Sequence, residues 1–272
     1  MNITERNNIK IIGNGTQTLM FAHGFGCDQN TWNLITPAFS DTYKVVLFDY
    51  IGVGHADINA YDAQRYSHLA GYANDVIDIC EELQLENVIF IGHCVSSMIG
   101  ALASIKAPHL FKKLIFIGPS PRYINDVDYY GGMEREDLEA LLEVMDSNYL
   151  GWSGTLAPAI VGNPDRPALG DDLTKSFRAV DLDIAKQFAR VIFLSDHRGD
   201  LPLIKIPSLT IQGNEDVLTS ERVANYIKEH TDGNQVTILE SSGHCPHLSD
   251  PEAVVSAINH FIQEPYEQAG IH

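Results

Sequence analysis

Basic residues are scarce in this chain of 272 residues. It contains 18 lysines and arginines against 36 aspartates and glutamates, so its formal net charge is −18 and its pI is near 4.8. Nucleic acids and anionic membranes are normally bound through basic patches, and this composition therefore argues against both kinds of partner. The simplest consequence of the acidity is good solubility.

Cysteine is also scarce, and its four copies are scattered along the chain. Cys27, Cys80, Cys94 and Cys245 form no CxxC pair and have no metal-ligand spacing. Neither a zinc site nor a disulfide framework is therefore predicted. We expect neither a metal nor a cofactor.

Two kinds of apolar segment are missing as well. The opening residues, MNITERNNIKII, do not combine basic residues with an apolar run, as a secretory signal peptide would. No stretch approaches the roughly 18 apolar residues of a membrane-spanning helix. We therefore expect a cytoplasmic protein that does not bind membranes.

The chain does contain an alternation of strand-like and helix-like segments. Short apolar runs bounded by Gly, Asp, Asn or Pro are typical of buried strands, and amphipathic stretches lie between them. This alternation predicts an α/β fold with a mostly parallel central sheet and helices on both faces. An antiparallel hairpin is predicted near residues 8–22, with Gly13-Asn14-Gly15 as its turn. The predicted strands are residues 18–23, 44–49, 87–92, 113–118, 207–212 and 235–240, and the predicted helices are residues 67–83, 95–106, 219–230 and 251–263.

The alternation stops between about residues 121 and 200, where helical patterns follow one another without a convincing strand. Residues 134–145, 171–178 and 182–195 are predicted to be helical. A helical insert between two core strands is best explained as a lid over the carboxyl edge of the sheet. The predicted organisation is a core formed by residues 1–120 and 201–272, with residues 121–200 inserted as the lid.

The strongest local signal is Gly92-His93-Cys94-Val95-Ser96, where a predicted buried strand runs directly into a predicted helix. It resembles a G-x-S-x-G nucleophile elbow, in which a strained turn places the reactive atom at a helix N-terminus. Small residues at positions 92 and 96 let the strand and the helix pass closely. The pattern predicts Cys94 as the nucleophile, and the alternative is an inert buried cysteine.

Two positions depart from the elbow pattern. Ser96 replaces the final glycine, which its small size allows. Cys94 replaces the serine, and this changes the chemistry, because a thiol has an ordinary pKa of about 8.5 that a helix N-terminus or a histidine lowers. A thiolate is a good nucleophile and also a good leaving group. A thioester intermediate can therefore revert or stall where an acyl-serine would turn over.

The partners of the nucleophile are predicted from two further strand ends. In an α/β-hydrolase fold the chain order is nucleophile, acid, histidine. Asp216 follows the strand that ends in Gln-Gly-Asn-Glu, with Glu215 as the alternative acid. His244 follows Gly243 after the last predicted strand and is the expected base, with His247 as the alternative. His244 would take the thiol proton and later activate water, while Asp216 would orient its ring.

An oxyanion hole needs two backbone N–H groups. Val95, which follows the nucleophile, is expected to supply one of them. Phe25, in the His23-Gly24-Phe25-Gly26 segment after the first predicted parallel strand, is expected to supply the other. A plain glycine turn is the alternative explanation of that segment.

Several motifs together resemble the RsbQ-like α/β-hydrolases, a group that contains a bacterial regulator of the sigma-B stress response and the plant karrikin and strigolactone receptors. The similarity extends over nearly the whole chain, including the predicted lid. It rests on FAHGFGCDQNTW at residues 21–32, GHCVSSMIG at 92–100, IGPSPR at 117–122, DYYGG at 128–132, NPDRP at 163–167, SDHR at 195–198 and GHCPHLSDP at 243–251.

The resemblance implies an α/β-hydrolase core with a four-helix lid over a deep apolar pocket. It implies that residues 94, 216 and 244 are nucleophile, acid and histidine, in agreement with the choice made from the motifs. It also implies a small hydrophobic ligand and signalling through a PAS-domain protein phosphatase. Phe25, Trp152, Phe188 and Phe193 fall on positions that line the pocket in this group, although the residues alone are equally compatible with packing inside the lid.

The departure from the group is Cys94, where its pattern has serine. Two explanations remain open: a serine site changed to cysteine, which we favour, or a natural cysteine hydrolase. Dienelactone hydrolases use cysteine on this fold, but they lack a lid of the kind predicted at residues 121–200. Two functions are accordingly expected, either hydrolysis of a small apolar ester or lactone through an acyl intermediate, or ligand-dependent signalling without turnover.

Overall fold

The computed structural model describes residues 2–264, and within them a single sheet organises the chain. The sheet has the strand order β1-β3-β2-β4-β5-β6-β7, and every neighbouring pair is parallel except β1 with β3. The predicted α/β fold with a mostly parallel sheet is therefore confirmed. The strands are β1 Lys10–Ile12, β2 Thr18–Ala22, β3 Lys44–Leu47, β4 Val88–His93, β5 Phe111–Ile117, β6 Ser208–Glu215 and β7 Asn234–Ser242.

Adjacent residues of the central strands point to opposite faces of the sheet. In β2, Leu19 and Phe21 belong to one hydrophobic cluster, whereas Met20 and Ala22 belong to the other. This follows from the two-residue period of a strand. Because both faces are covered, every residue of β2 and β4 is buried. That is why these strands appear in the sequence as continuous apolar runs.

Helices cover both faces of the sheet, as the sequence predicts. Helices α2, α3 and α8 pack against the cluster that contains Met20. On the other face, α10 packs through Val254, Ile258 and Phe261 against the cluster that contains Leu19. These core helices are α1 Ile3–Arg6, α2 Leu69–Glu82, α3 Val95–Lys106, α8 Glu221–His230, α9 Pro246–Ser249 and α10 Pro251–Gln263.

Four helices lie between β5 and β6, and we call them the helical insert. Local signals mark where they begin. The side chain of Asn148 accepts from the Gly151 N–H at the start of α5, Pro167 opens α6, and Asp181 caps α7. The predicted four-helix insert is confirmed, whereas its division from the core as a separate lid domain stays a prediction. The insert consists of α4 Arg135–Ser147, α5 Tyr149–Val161, α6 Pro167–Ala179 and α7 Leu182–Phe193.

The predicted hairpin near residues 8–22 is wrong. Strand β1 pairs with β3 instead of β2, because β3 lies between them in the sheet. The glycines of the predicted turn instead lie against the backbone of residues 40–43. A Cβ atom at Gly13 would lie 2.2 Å from the Ser40 carbonyl oxygen, and one at Gly15 would lie 2.1 Å from that of Thr42. Glycine lets the two backbones pass closely there, and this contact is not visible in the local pattern.

Candidate active site

The turn between β4 and α3 is strained. Cys94 occupies its apex with φ of 56° and ψ of −123°, which side chains other than glycine rarely adopt. Its backbone N–H donates to the Ile117 carbonyl oxygen of β5 at 2.8 Å and so anchors the turn to the sheet. A Cβ at Gly92 would lie 2.6 Å from the carbonyl oxygen of Ser96, so only glycine fits there. The turn places the buried Cys94 side chain at the N-terminus of α3.

Ser96 connects this turn to the loop that follows β2. Its hydroxyl donates to the His23 carbonyl oxygen at 2.5 Å. The Tyr50 hydroxyl lies 2.8 Å from the Ser96 oxygen and donates to it, since the Ser96 proton is already engaged. The sequence alone marks Ser96 only as a small residue in the place of glycine. The structure gives it a positioning contact that the sequence analysis missed.

Asp216 and His244 form a buried pair at the ends of β6 and β7. The Asp216 carboxylate accepts from Nδ1 of His244 at 2.7 Å and from the Thr219 hydroxyl at 2.9 Å. It also accepts the backbone N–H groups of Leu218 at 2.8 Å and of Thr219 at 3.1 Å. Nε2 of His244 is buried and has no hydrogen bond of good geometry within residues 2–264. It is left available to the Cys94 thiol, which borders the same cavity.

The electrostatics of this group favour an ion pair between sulfur and imidazole. Burial by itself would raise the pKa of Cys94, but the neighbouring His244 charge, the Tyr123 hydroxyl and the Val95 N–H lower it below its ordinary value. Burial opposes protonation of His244, yet Asp216 and Cys94 raise its pKa well above the usual range. Burial opposes ionisation of Asp216, but His244 and the backbone N–H groups of Leu218 and Thr219 together lower its pKa. The arrangement therefore stabilises thiolate and imidazolium together.

The alternative acid and base from the sequence lie elsewhere. Glu215 is exposed, and its carboxylate accepts from the Ser242 hydroxyl at the surface. Nε2 of His247 pairs with the Thr31 hydroxyl at 2.8 Å, and its ring packs on Trp32 with a centroid distance of 4.7 Å. Burial lowers the pKa of His247 to about 3, so it stays neutral. Neither alternative contacts Cys94.

The loop after β2 presents backbone N–H groups near the cavity. In the part of the chain that the structure describes, the N–H groups of Phe25 and Val95 donate to no backbone carbonyl or side-chain oxygen. The loop is oriented by His23, whose Nε2 accepts from the Tyr50 N–H at 3.3 Å. Nδ1 of His23 therefore carries the proton and donates to the Gly24 carbonyl oxygen at 2.9 Å. Phe25 borders the cavity at Cys94 and Val95 directly follows Cys94, so the role of their N–H groups as an oxyanion hole stays a prediction.

His93 links the elbow to the loop that carries His244. Its Nε2 lies 2.9 Å from the His244 carbonyl oxygen, an acceptor only, so His93 donates this bond. A Cβ at Gly24 would lie 2.5 Å from Nδ1 of His93, so the oxyanion loop packs directly on the same ring. Burial, together with the neighbouring His247 and His244, holds the pKa of His93 well below its usual range. A neutral His93 therefore braces the loops on either side of the elbow.

Tyr123 is a site residue that the sequence analysis missed. Its buried hydroxyl lies 3.6 Å from the Cys94 sulfur, although 29 positions separate the two residues. Burial and the adjacent Cys94 raise the pKa of Tyr123 well above its ordinary value, so it remains a donor. A Tyr hydroxyl at this distance stabilises a thiolate. No periodicity or motif around residue 123 signals this contact.

The cavity above Cys94 is small, with a volume of about 20 Å³, which is room for about one water molecule. Phe25 and Phe193 line it, as the resemblance implies. Trp152 and Phe188 do not border it, and their place in a ligand pocket stays a prediction. Their rings pack behind Phe25, with centroid distances of 6.4 Å for Trp152 and 5.8 Å for Phe188. Phe177, at 5.2 Å from Phe25, belongs to the same aromatic cluster.

No group of three or more His, Cys, Asp or Glu side chains among residues 2–264 is arranged to hold a metal ion. Among these residues, no helix combines the length and the apolar character needed to cross a membrane. The four cysteines are buried and unpaired by disulfides.

The parallel sheet, the elbow and the histidine–carboxylate pair define an α/β hydrolase. The family model described as "Alpha/beta hydrolase family" matches residues 19–257. The chain therefore belongs to the α/β-hydrolase family, and the prediction that it is an enzyme of this class is confirmed.

Several relatives show which members of the α/β-hydrolase family this chain is similar to. The chain is 41% identical over 257 residues to Karrikin insensitive 2 receptor CA of Petunia hybrida, covering 94% of this chain and 95% of the relative. It is 41% identical over 251 residues to a strigolactone esterase of Arabidopsis thaliana, covering 92% and 94% of the two chains. A solved hydrolase from Oleispira antarctica is 41% identical and superposes with a TM-score of 0.95 over 97% of both chains. The homologues thus include the karrikin and strigolactone receptor hydrolases that the sequence resembles.

Proposed function

We propose that this protein hydrolyses a small apolar ester or lactone through a thioester on Cys94. The observation that carries the proposal is the arrangement of Cys94 beside His244, whose other ring nitrogen is held by Asp216 at 2.7 Å. A nucleophile, a base and an orienting carboxylate in this order are the parts that acyl transfer needs. The backbone N–H groups of Val95 and Phe25 are the proposed oxyanion donors.

In the acylation step, the Cys94 thiolate attacks the carbonyl carbon of the substrate. The carbonyl oxygen takes up the negative charge, which the N–H groups of Val95 and Phe25 stabilise. As the intermediate collapses, the bond to the leaving oxygen breaks, and His244 gives its Nε2 proton to that oxygen. An alcohol is released, or the opened hydroxyl of a lactone, and a thioester remains on Cys94.

In the deacylation step, neutral His244 removes a proton from water, and the resulting hydroxide attacks the thioester. The carbon–sulfur bond breaks, the acid is released, and the thiolate and imidazolium are restored. Asp216 stabilises the imidazolium in both steps. Sulfur is larger than a serine oxygen and displaces the thioester carbonyl from the N–H donors, so we expect slow deacylation and accumulation of the thioester.

The relatives support a small neutral ligand, because their names describe a strigolactone esterase and a karrikin receptor. They also support a second function, in which the output is signalling instead of product. We propose, as this second candidate, that ligand binding or the stalled thioester controls a partner. The RsbQ-like resemblance makes that partner a PAS-domain phosphatase of the sigma-B stress response. We also propose that residues 121–200 form a lid domain that is separate from the core.

The hydrolase proposal is tested by intact-protein mass after incubation with p-nitrophenyl acetate and a panel of lactones. We expect one acyl adduct, mapped to Cys94, to persist in the protein as it stands. In Cys94→Ser the adduct should turn over, with continuous release of p-nitrophenol. His244→Ala should form the adduct about 10³-fold more slowly or worse. Absence of activity above background in Cys94→Ser would reject the hydrolase proposal.

The signalling candidate is tested by a pull-down with the stress-pathway phosphatase. The comparison uses the unmodified protein, the acylated protein and His244→Ala. Binding that depends on acylation supports signalling through the ligand state. No binding in any state would count against the candidate, while leaving the hydrolase proposal untouched.

A further inference from the structure

A larger recess lies outside the cavity at Cys94, between helix α6 and the core. Its volume is about 660 Å³, and most of its lining is apolar. One wall is a single face of α6, where Leu169, Leu173 and Ser176 recur at helical spacing. The opposite wall includes Leu34 and Val53 from core loops. We call this recess the α6 groove.

The α6 groove and the cavity at Cys94 share two lining side chains, Cys27 and Leu173. Both are buried, with exposed fractions of 4% and 5%. The wall between the two spaces is therefore one side chain thick. A rotamer change of Leu173 is enough to breach such a wall, and it is a faster motion than displacement of a whole helix.

The sizes of the two spaces decide what each can hold. About 20 Å³ at Cys94 has no room for an alkyl chain. Small-molecule sites are usually about 300–1,000 Å³ and mostly apolar, and the α6 groove falls within that range. The rings of Phe25, Trp152 and Phe177 pack against one another at 5.2 to 6.4 Å. The α6 groove, behind the wall formed by Cys27 and Leu173, is thus an adjoining space that is large enough for an alkyl chain.

The charges on the groove select further among ligands. Asp28 and Asp172 border it, while the bordering Lys175 is paired with Asp172 at 2.9 Å. The border therefore has a net charge of −1, from two carboxylates and one ammonium, which disfavours an anionic chain end. Apolar side chains deeper in the groove favour hydrocarbon.

We propose that the α6 groove binds the acyl chain of a neutral aliphatic ester or of an alkyl-substituted lactone. The carbonyl lies at Cys94, and the chain passes between Cys27 and Leu173. This inference rests on the proposed hydrolase function and adds the chain length and charge of the substrate to it.

The test measures acylation of Cys94 by p-nitrophenyl acetate, butanoate and hexanoate, through the single-turnover release of p-nitrophenolate. We expect the second-order rate constant to rise by roughly a hundredfold from acetate to hexanoate as four methylene groups enter the groove. Ala179→Trp, on the exposed end of the groove wall, fills the groove. This variant should lose the gain with hexanoate and keep the rate with acetate. Ala168→Trp, exposed on the same helix but outside the lining, should keep both.

The outcomes separate this inference from the proposed function. Two results would overturn binding of the acyl chain in the α6 groove and leave the hydrolase proposal standing. One is acylation by p-nitrophenyl acetate with no rise in rate for longer chains, and the other is a rise in rate that persists in Ala179→Trp. If the rise in rate with chain length is lost in Trp152→Ala but not in Ala179→Trp, the chain binds among the aromatic rings, and binding in the α6 groove is again overturned. No acylation by any of the esters overturns both. Leu34→Trp, on the opposite wall, replaces Ala179→Trp if circular dichroism shows that the latter is misfolded.

Discussion

Two sides of the cavity at Cys94 are held by different forces. We call the strand ends that carry Cys94, Asp216 and His244 the floor, and the aromatic rings of Phe25, Trp152 and Phe177 the roof. On the floor, hydrogen bonds of 2.7 to 3.1 Å fix the Asp216 carboxylate, and a 2.8 Å bond anchors Cys94 to β5. On the roof, Phe177 and Trp152 touch each other and Phe25 through ring edges at 5.2 to 6.4 Å. Hydrogen bonds to a sheet are directional, whereas aromatic contacts between helices tolerate several arrangements.

This difference separates chemistry from ligand choice. Reacting atoms require positions accurate to a fraction of an ångström, and strand ends supply them. A ligand space defined by side-chain packing can change its volume without disturbing those positions. The predictions below test whether floor and roof can be altered independently.

His244→Ala is expected to have the largest effect, because it removes the base from the floor. Acylation of Cys94 by p-nitrophenyl acetate should slow by about 10³-fold or more. The folded structure should persist, as judged by circular dichroism. His247→Asn is the matched control, since it changes the other histidine of the same loop and should cost less than about tenfold. Equal losses in the two variants would show that the base is wrongly assigned.

Phe177→Ala is expected to have the next largest effect, and it alters the roof. The side chain is 1% exposed, and its removal should lower the free energy of unfolding by about 3–5 kcal/mol. Urea denaturation measures this loss. Leu150→Ala, also in the insert but 63% exposed, should change stability by less than about 0.5 kcal/mol. The rate at which p-nitrophenyl acetate acylates Cys94 should stay within about tenfold of the unmodified protein in Phe177→Ala. A loss of rate as large as in His244→Ala would show that the floor and the roof cannot be altered independently.

The pH dependence of thiol alkylation sharpens the description of the floor. Only the thiolate reacts, and the lowered pKa of Cys94 keeps it reactive towards iodoacetamide below the pH at which an ordinary thiol loses reactivity. The rate falls as the pH drops through that lowered pKa. In His244→Ala burial acts without the compensating charge, so the profile should move to higher pH.

Cys27 is the internal control for this experiment, because burial raises its pKa to about 12. It should remain unmodified at neutral pH while Cys94 is alkylated. Peptide mass spectrometry distinguishes the two sites. Identical pH profiles for Cys27 and Cys94 would contradict the ion pair at the floor.

Tyr123→Phe is expected to have the smallest effect, because it removes one hydrogen-bond donor and leaves the ring in place. The acylation rate should fall by about two- to tenfold, and the alkylation profile of Cys94 should move to higher pH. Tyr129→Phe is the control, since that hydroxyl donates to the Arg122 carbonyl oxygen at 2.8 Å instead of approaching Cys94. A rate loss without a shift of the pH profile would make Tyr123 a packing residue only.

The floor could be largely anticipated from the sequence because its signals are local. Cys94, Asp216 and His244 each follow a recognisable strand, and the carboxyl ends of parallel strands meet at one edge of a sheet. The helices at residues 95–106 and 251–263 coincide with α3 and α10. The structure brings the three side chains together, while their catalytic roles remain proposals that the experiments above decide.

Features with non-local causes could not be anticipated in the same way. Helix α5 has no amphipathic period, because it is rich in apolar and small residues and contains Pro158. Tyr123 reaches Cys94 only through the path that the chain takes after β5. The origin of Cys94, whether native or in the place of serine, stays a prediction, as does the cytoplasmic location.

The sequence by itself determined the α/β order of the chain and the strand ends at which Cys94, Asp216 and His244 stand. It could do so because strand, turn and helix patterns depend on neighbouring residues. Only the tertiary structure decided that the roof closes the cavity to about 20 Å³ and leaves about 660 Å³ beside α6. The physical reason is that cavity volume depends on how side chains far apart in the chain pack against one another, and Phe25 meets Phe177 only after folding.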